Sequence, residues 1–81
     1  MFENKTLLIT GGTGSFGNAL LRRFLYSDIS EIRILSRDEK KQDDMRKKYN
    51  SQKLKFYIGD VRDVDSVRTA MRGVDFVFHA A

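Results

Sequence analysis

Apolar residues fall in short blocks along this chain, and the spacing within the blocks alternates between two periods. The continuous run Leu7-Leu8-Ile9 predicts a buried strand over about Thr6–Ile9. Beyond it, Phe16, Ala19, Leu20, Phe24 and Leu25 recur at helical spacing with Arg22 and Arg23 outside, so Asn18 to Tyr26 predicts an amphipathic helix. A second strand reads Glu31–Leu35. Ser36-Arg37-Asp38-Glu39 then has the S-x-x-E form of a capping box, opening a mostly polar helix whose inner side is Met45 and Tyr49. The third strand reads Lys53–Ile58. Asp63 or Asp65 caps a short helix through Val67, Ala70 and Met71, which Gly73 ends. Val74–Phe78, almost wholly apolar, closes the series as a buried strand.

Strand and helix thus alternate from end to end, with no linker, repeat or low-complexity segment. Alternation of this kind implies an α/β fold with parallel strands joined by right-handed crossovers. In the doubly wound Rossmann arrangement the strand order is 3-2-1-4. The first two helices then cover one face, and the third crosses to the other. The crevice for a ligand is expected between strands one and four, where the strand order reverses.

The turn between the first strand and the first helix carries the chemistry. Thr10-Gly11-Gly12-Thr13-Gly14-Ser15-Phe16-Gly17 is a strand–glycine turn–helix junction, the context in which a dinucleotide fingerprint has meaning. Glycine lets the chain turn off the strand, lets backbone approach a pyrophosphate, and at Gly17 lets the helix pack close to the sheet. The helix N-terminus offers unpaired N–H groups and partial positive charge to phosphates. Gly11, Thr13, Gly14, Ser15, Phe16 and Gly17 are therefore candidate cofactor-binding residues. Two templates fit: G-x-G-x-x-G on Gly12, Gly14 and Gly17, and G-x-x-G-x-x-G on Gly11, Gly14 and Gly17. A phosphate-binding P-loop does not, because Asn18 and Ala19 stand where it needs Lys and then Ser or Thr.

Composition narrows the classes. With 81 residues the chain is one domain at most, a size that buries only about 60% of the unfolded surface. No stretch is long enough to span a membrane, and the N-terminus has no signal-peptide pattern. Cysteine is absent, which removes disulfides and thiolate metal sites and is compatible with the cytoplasm, the expected location. No metal site is expected. The net charge is +4, but the densest block sets Lys40, Lys41, Arg46, Lys47 and Lys48 against Asp38, Glu39, Asp43 and Asp44. That mixture is a solvated helix face rather than a basic stripe, so nucleic acid is not an expected partner.

The tip of the second strand bears on the choice between NAD and NADP. An NAD site usually places an acid about 20 residues beyond the glycines, to accept from the ribose hydroxyls. Here the tip is Ser36 and Arg37, with Lys41 one helical turn further on. A hydroxyl and two cations suit a 2′-phosphate, so NADP is expected over NAD. Asp38 is the counter-indication, unless it caps the helix; the competing reading makes Arg37 and Lys41 surface charge alone.

With these motifs placed, the chain resembles the extended short-chain dehydrogenase/reductase family. The turn matches T-G-x-x-G-x-x-G, Gly59-Asp60-Val61-Arg62-Asp63 matches the G-D-(V/I)-x-D segment, and Val77-Phe78-His79-Ala80-Ala81 matches the V-(F/I)-H-x-A ending of the fourth strand. Within the family it is most similar to bacterial inverting UDP-N-acetylglucosamine 4,6-dehydratases of surface-polysaccharide pathways. The narrower signs are Ile9 to Gly17, Ser36 to Lys41 and Lys55 to Asp63. The resemblance implies that Asp60 accepts from the adenine amino group, that Val61 packs on the ring, and that Ala80 and Ala81 bring backbone near ribose and pyrophosphate. It implies that the complete enzyme oxidises a nucleotide sugar at C4 by hydride transfer to NADP, eliminates water across C5–C6, and returns the hydride with inversion at C5.

No catalytic residue is expected in this chain. The family carries Ser or Thr and a Tyr-x-x-x-Lys pair beyond a fifth strand. Tyr49-Asn50-Ser51-Gln52-Lys53 has the spacing but straddles a helix end and a turn, and is expected to be a decoy. His79, the only histidine, is expected to be a packed structural residue. Residues 1–81 read as the incomplete N-terminal NADP-binding segment of a longer nucleotide-sugar dehydratase. Another extended short-chain epimerase or reductase, or a non-catalytic NADP sensor, fits the same residues. An open fourth-strand edge predicts self-association.

Overall fold

The computed structural model describes residues 1–11 and 13–80. Four strands and three helices alternate: β1 (Thr6–Thr10), α1 (Ser15–Leu25), β2 (Glu31–Ser36), α2 (Glu39–Tyr49), β3 (Leu54–Ile58), α3 (Val64–Met71) and β4 (Phe76–His79). The strands form one parallel sheet in the order β3-β2-β1-β4, as the alternation required.

The two central strands are buried on both faces, which is why Leu7-Leu8-Ile9 and Ile32 to Leu35 carry so little polar alternation. Leu7, Ile9, Ile32 and Ile34 face α1 and α2, packed with Leu21, Leu25, Ile29, Met45 and Leu54. Leu8 and Leu35 face the other way, onto Ala70 of α3, with Val67 and Val74 beside them. Two helices on one face and one on the other is the arrangement expected of this strand order. A fully buried leucine such as Leu21 stabilises such a fold by about 1.5–3 kcal/mol.

Helix faces and caps differ in part from the sequence reading. α1 begins at Ser15 rather than Asn18, and its buried line is Gly17, Leu21 and Leu25, at a spacing of four. Leu20 and Phe24 flank that line, whereas Phe16 is 58% exposed and Ala19 faces solvent. Gly17 lies on the buried line, and Ala19, two residues on, falls on the solvent side. The capping box at Ser36 does not form. Ser36 is the last residue of β2, and Asp38 caps α2 by accepting from the Lys41 N–H at 3.0 Å. α3 is capped by Asp63, through the Asp65 N–H, and not by Asp65.

Two polar side chains hold the layers together. Arg33 reaches under the C-terminal end of α3 and donates from Nη1 to the carbonyls of Ala70, at 2.9 Å, and Arg72. These are carbonyls that a helix end leaves without partners. On the opposite face Gln42 of α2 bridges the ends of β2 and β3.

β4 is shorter than expected and is not buried. Phe76, Val77 and Phe78 are each roughly two-fifths exposed, because among the described residues no further strand pairs with β4. Phe2 and Phe24 give partial cover, edge-on to Phe76 and tilted against Phe78 respectively. Among the described residues no helix is long and apolar enough to cross a membrane.

Candidate dinucleotide-binding site

At the carboxyl ends of β1, β2 and β3 the sheet opens into a cleft of about 710 Å³. Its floor is Gly11 and Leu35, and Gly59 to Arg62 form one wall. The other wall is Ser36 to Glu39 with Lys41. A second hollow of about 410 Å³ surrounds the start of α1, lined by Thr13, Gly14, Ser15, Asn18, Arg22 and Lys41. The two share Thr13 and Lys41, so they form one groove from the helix N-terminus to Asp60. A groove of this size and position fits the adenosine half and phosphates of a dinucleotide.

Local backbone chemistry explains the groove. Gly11 has φ +66°, the left-handed region that favours glycine, and its N–H donates to the Leu35 carbonyl at 2.8 Å. This bends the chain away from β1 and across the end of β2. Gly14 then starts α1 with no side chain capping the helix and no acid in its first turn. α2 and α3 each carry an aspartate cap. A Cβ built on Gly14 would meet nothing within 4 Å. Packing among the described residues therefore does not require glycine there.

Charge in the cleft centres on Asp60. Arg62 grips it with Nη2 at 2.8 Å and Nε at 3.1 Å, and the Arg62 backbone N–H adds a bond of 2.8 Å. Arg37 Nη1 lies 3.6 Å from the same carboxylate. The Arg62 side-chain bond and then its N–H hold the Asp60 carboxyl down at about 2, against a smaller upward push from burial; the charges of Arg62 and then Arg37 add lesser downward pulls. Asp60 in turn raises Arg62. Asp38, the acid that argued for NAD, is occupied as the cap of α2.

The expected site residues separate into groups. Gly11, Thr13, Ser36, Arg37, Lys41, Asp60 and Val61 line the cleft, and Thr13, Gly14, Ser15 and Lys41 line the hollow. Phe16 and Gly17 line neither: one is exposed beside the turn and the other is buried under α1. Ala80 donates its N–H to Thr10 and packs toward α1. Gly12 and Ala81 lie outside the described residues. The cleft takes no residue from β4, contrary to the expected position between β1 and β4.

Sequence reading passed over Arg62 and Gln42. The first stands two residues from an aspartate already singled out, and that spacing was the available signal. The second is a polar residue on the inner side of a polar helix, with no signal of its own. Lys53 is engaged apart from the groove, its Nζ donating to the Ser27 carbonyl at 3.0 Å, whereas the Tyr49 hydroxyl donates at 3.2 Å to Oδ1 of Asn18, a residue of the hollow. His79 Nδ1 is hydrogen-bonded to Thr10 Oγ1 across the β1–β4 pair.

Known proteins are similar to this chain in sequence and fold. Residues 7–81 match the family of polysaccharide biosynthesis proteins. The chain is 69% identical, over 85 aligned residues, to a UDP-glucose 4-epimerase of Rickettsia prowazekii, covering 100% of this chain and 25% of that protein. The X-ray structure of Pen from Bacillus thuringiensis superposes with a TM-score of 0.93 at 36% identity, over 100% of this chain and 25% of the other. The Bordetella bronchiseptica enzyme WbmF, solved in complex with NAD+, shares the fold with a TM-score of 0.76 at 19% identity, over 99% of this chain and 24% of that one. The chain spans about a quarter of the length of these relatives. By its match over residues 7–81, the chain belongs to the polysaccharide biosynthesis protein family.

Proposed function

We propose that residues 1–81 form the NADP-binding N-terminal segment of an enzyme that remodels a nucleotide sugar for surface-polysaccharide synthesis, working in the cytoplasm. The observation that carries this reading is the open N-terminus of α1 beside Gly14, in a fold whose other two helices are capped by aspartate. The pyrophosphate would lie against the α1 N–H groups, and the 2′-phosphate between Arg37 and Lys41 with Ser36 beside it. Asp60 and Val61 would receive the adenine, and Ala80 and Ala81 would bring backbone near the cofactor's ribose and pyrophosphate. When bound, the cofactor would supply hydride acceptance and return at a sugar carbon. This chain would bind and orient it, with the catalytic residues in the remainder of the protein.

The substrate reading is UDP-N-acetylglucosamine, processed by an inverting 4,6-dehydratase, supported by the segments Ile9 to Gly17, Ser36 to Lys41 and Lys55 to Asp63. A 4-epimerase acting on UDP-glucose is the second reading, favoured by the name of the Rickettsia prowazekii relative. Products of the full-length enzyme separate them: a dehydratase gives a keto sugar, an epimerase a sugar of unchanged mass.

Gly14→Ala tests the binding reading. The added methyl meets no protein atom, and as an N-cap change it costs at most about 1 kcal/mol of stability. Dinucleotide affinity measured by calorimetry is expected to fall about tenfold or more, the loss of one charge-assisted hydrogen bond. Unchanged affinity would contradict the proposal.

A further inference from the structure

The buried amide on α2 is explained neither by the glycine turn nor by the cationic tip of β2. Gln42 is 1% exposed. Its Nε2 donates to the Tyr57 carbonyl at 2.8 Å and to Ser36 Oγ at 3.0 Å, with the Ser36 carbonyl further off at 3.4 Å. The amide cannot be turned over, because Oε1 would then face two carbonyl oxygens, lone pair against lone pair. Nitrogen takes this place even though Oε1 stays buried without a partner among the described residues.

This arrangement sets the polarity of Ser36. An amide N–H only donates, so Ser36 Oγ is the acceptor in their bond. The hydroxyl proton is left for another partner, and the described residues supply none. Ser36 is 8% exposed, and the surface it keeps lines the cleft beside Arg37 and Lys41. A chain of bonds from amide to hydroxyl to ligand runs in one direction, each bond polarising the next.

We propose that Gln42 is a positioning residue that commits the Ser36 hydroxyl to donate into the cleft, toward an acceptor oxygen of a phosphate on the adenosine ribose. The proposal rests on the dinucleotide reading above. The oxygens of an ionised phosphate have lone pairs and no proton to give, which matches a site that only donates; a ribose hydroxyl matches it half as well. Gln42 thereby adds to the choice between phosphorylated and free ribose without touching the ligand.

The test uses two probes that fill only the adenosine half, adenosine 2′,5′-bisphosphate and adenosine 5′-monophosphate, titrated by calorimetry. Ser36→Ala, Gln42→Met and the double variant are compared with the native chain, each with its thermal midpoint. Either single substitution is expected to weaken bisphosphate binding about three- to tenfold, the range of one hydrogen bond, and monophosphate binding less. The double variant is expected to bind no worse than Ser36→Ala, since Gln42 acts through Ser36. Additive losses would overturn the proposal. So would a Gln42→Met chain with a lowered midpoint and an unchanged preference between the probes. Should Gln42→Met not fold, Gln42→Leu replaces it: with no donor facing Oγ, the hydroxyl is free to turn inward, and the same loss is expected. A native chain that binds neither probe overturns the dinucleotide reading and this inference together. Native binding with Ser36 and Gln42 uncoupled overturns the inference alone.

Discussion

Arg37 Nη1 stands 3.6 Å from Asp60 Oδ2, the oxygen that also accepts from Arg62 Nη2 at 2.8 Å. One carboxylate thus sits between two guanidinium groups, one from the end of β2 and one from the turn after β3. Arg37 is 71% exposed on its side chain, so the pair adds little stability by itself. Its consequence is orientation: Asp60 draws Arg37 toward the mouth of the cleft, where an anion would meet it.

Acid should expose this link. The folded Asp60 carboxyl titrates at about 2, below its ordinary 3.8, so its contribution is present above about pH 4 and is lost as pH falls through about 2. Unfolding of the native chain and of Asp60→Asn, followed between pH 5 and pH 2, is expected to show a stability gap that is steady at first and then closes. A gap that stays constant down to pH 2 would contradict the assignment.

Gly59 is fixed by packing. A Cβ there would lie 2.6 Å from Ser66 Oγ and 2.7 Å from Ser66 Cβ, where α3 crosses the end of β3. Gly59→Ala is expected to cost about 1–3 kcal/mol in urea unfolding, the range for overpacking. Adding Ser66→Gly should recover part of it; no loss in the single variant would show that α3 gives way.

Lys53 is held by the C-terminal end of α1, through the Leu25 and Ser27 carbonyls. Lys53→Met is expected to lower stability by about 1 kcal/mol, the net value of a hydrogen bond, and to leave dinucleotide affinity unchanged. A selective loss of affinity would mean that Lys53 reaches the ligand.

β4 presents an apolar edge with Val77 at its centre, 46% exposed. The chain is expected to self-associate there, and Val77→Lys to shift sedimentation toward the monomer. Equal sedimentation of the two would place any association elsewhere.

Strand order, crossover faces and the glycine turn were legible in the sequence because each rests on a local rule: apolar runs, helical spacing, and glycine where the chain must turn. Phe16 and Ala19 were misplaced because periodicity alone does not say which residues lie against the sheet; the buried line is Gly17, Leu21 and Leu25. Ser36 looked like a cap, since S-x-x-E is a pattern of letters, yet β2 runs one residue further and hands the cap to Asp38. Arg33 and Gln42 were invisible for a different reason. Their partners are backbone carbonyls brought close only by the fold. The cationic tip was read as a site from its place at the end of the second strand, and the folded chain adds the Asp60 carboxylate 3.6 Å from Arg37.

The most direct measurement is a calorimetric titration of NADP and of NAD into the native chain and into Arg37→Ala. NADP is expected to bind more tightly than NAD to the native chain. The substitution should weaken NADP alone, about ten- to a hundredfold, the range of a hydrogen bond to a charged group. Equal, weak binding of both dinucleotides before and after the substitution would contradict the 2′-phosphate site.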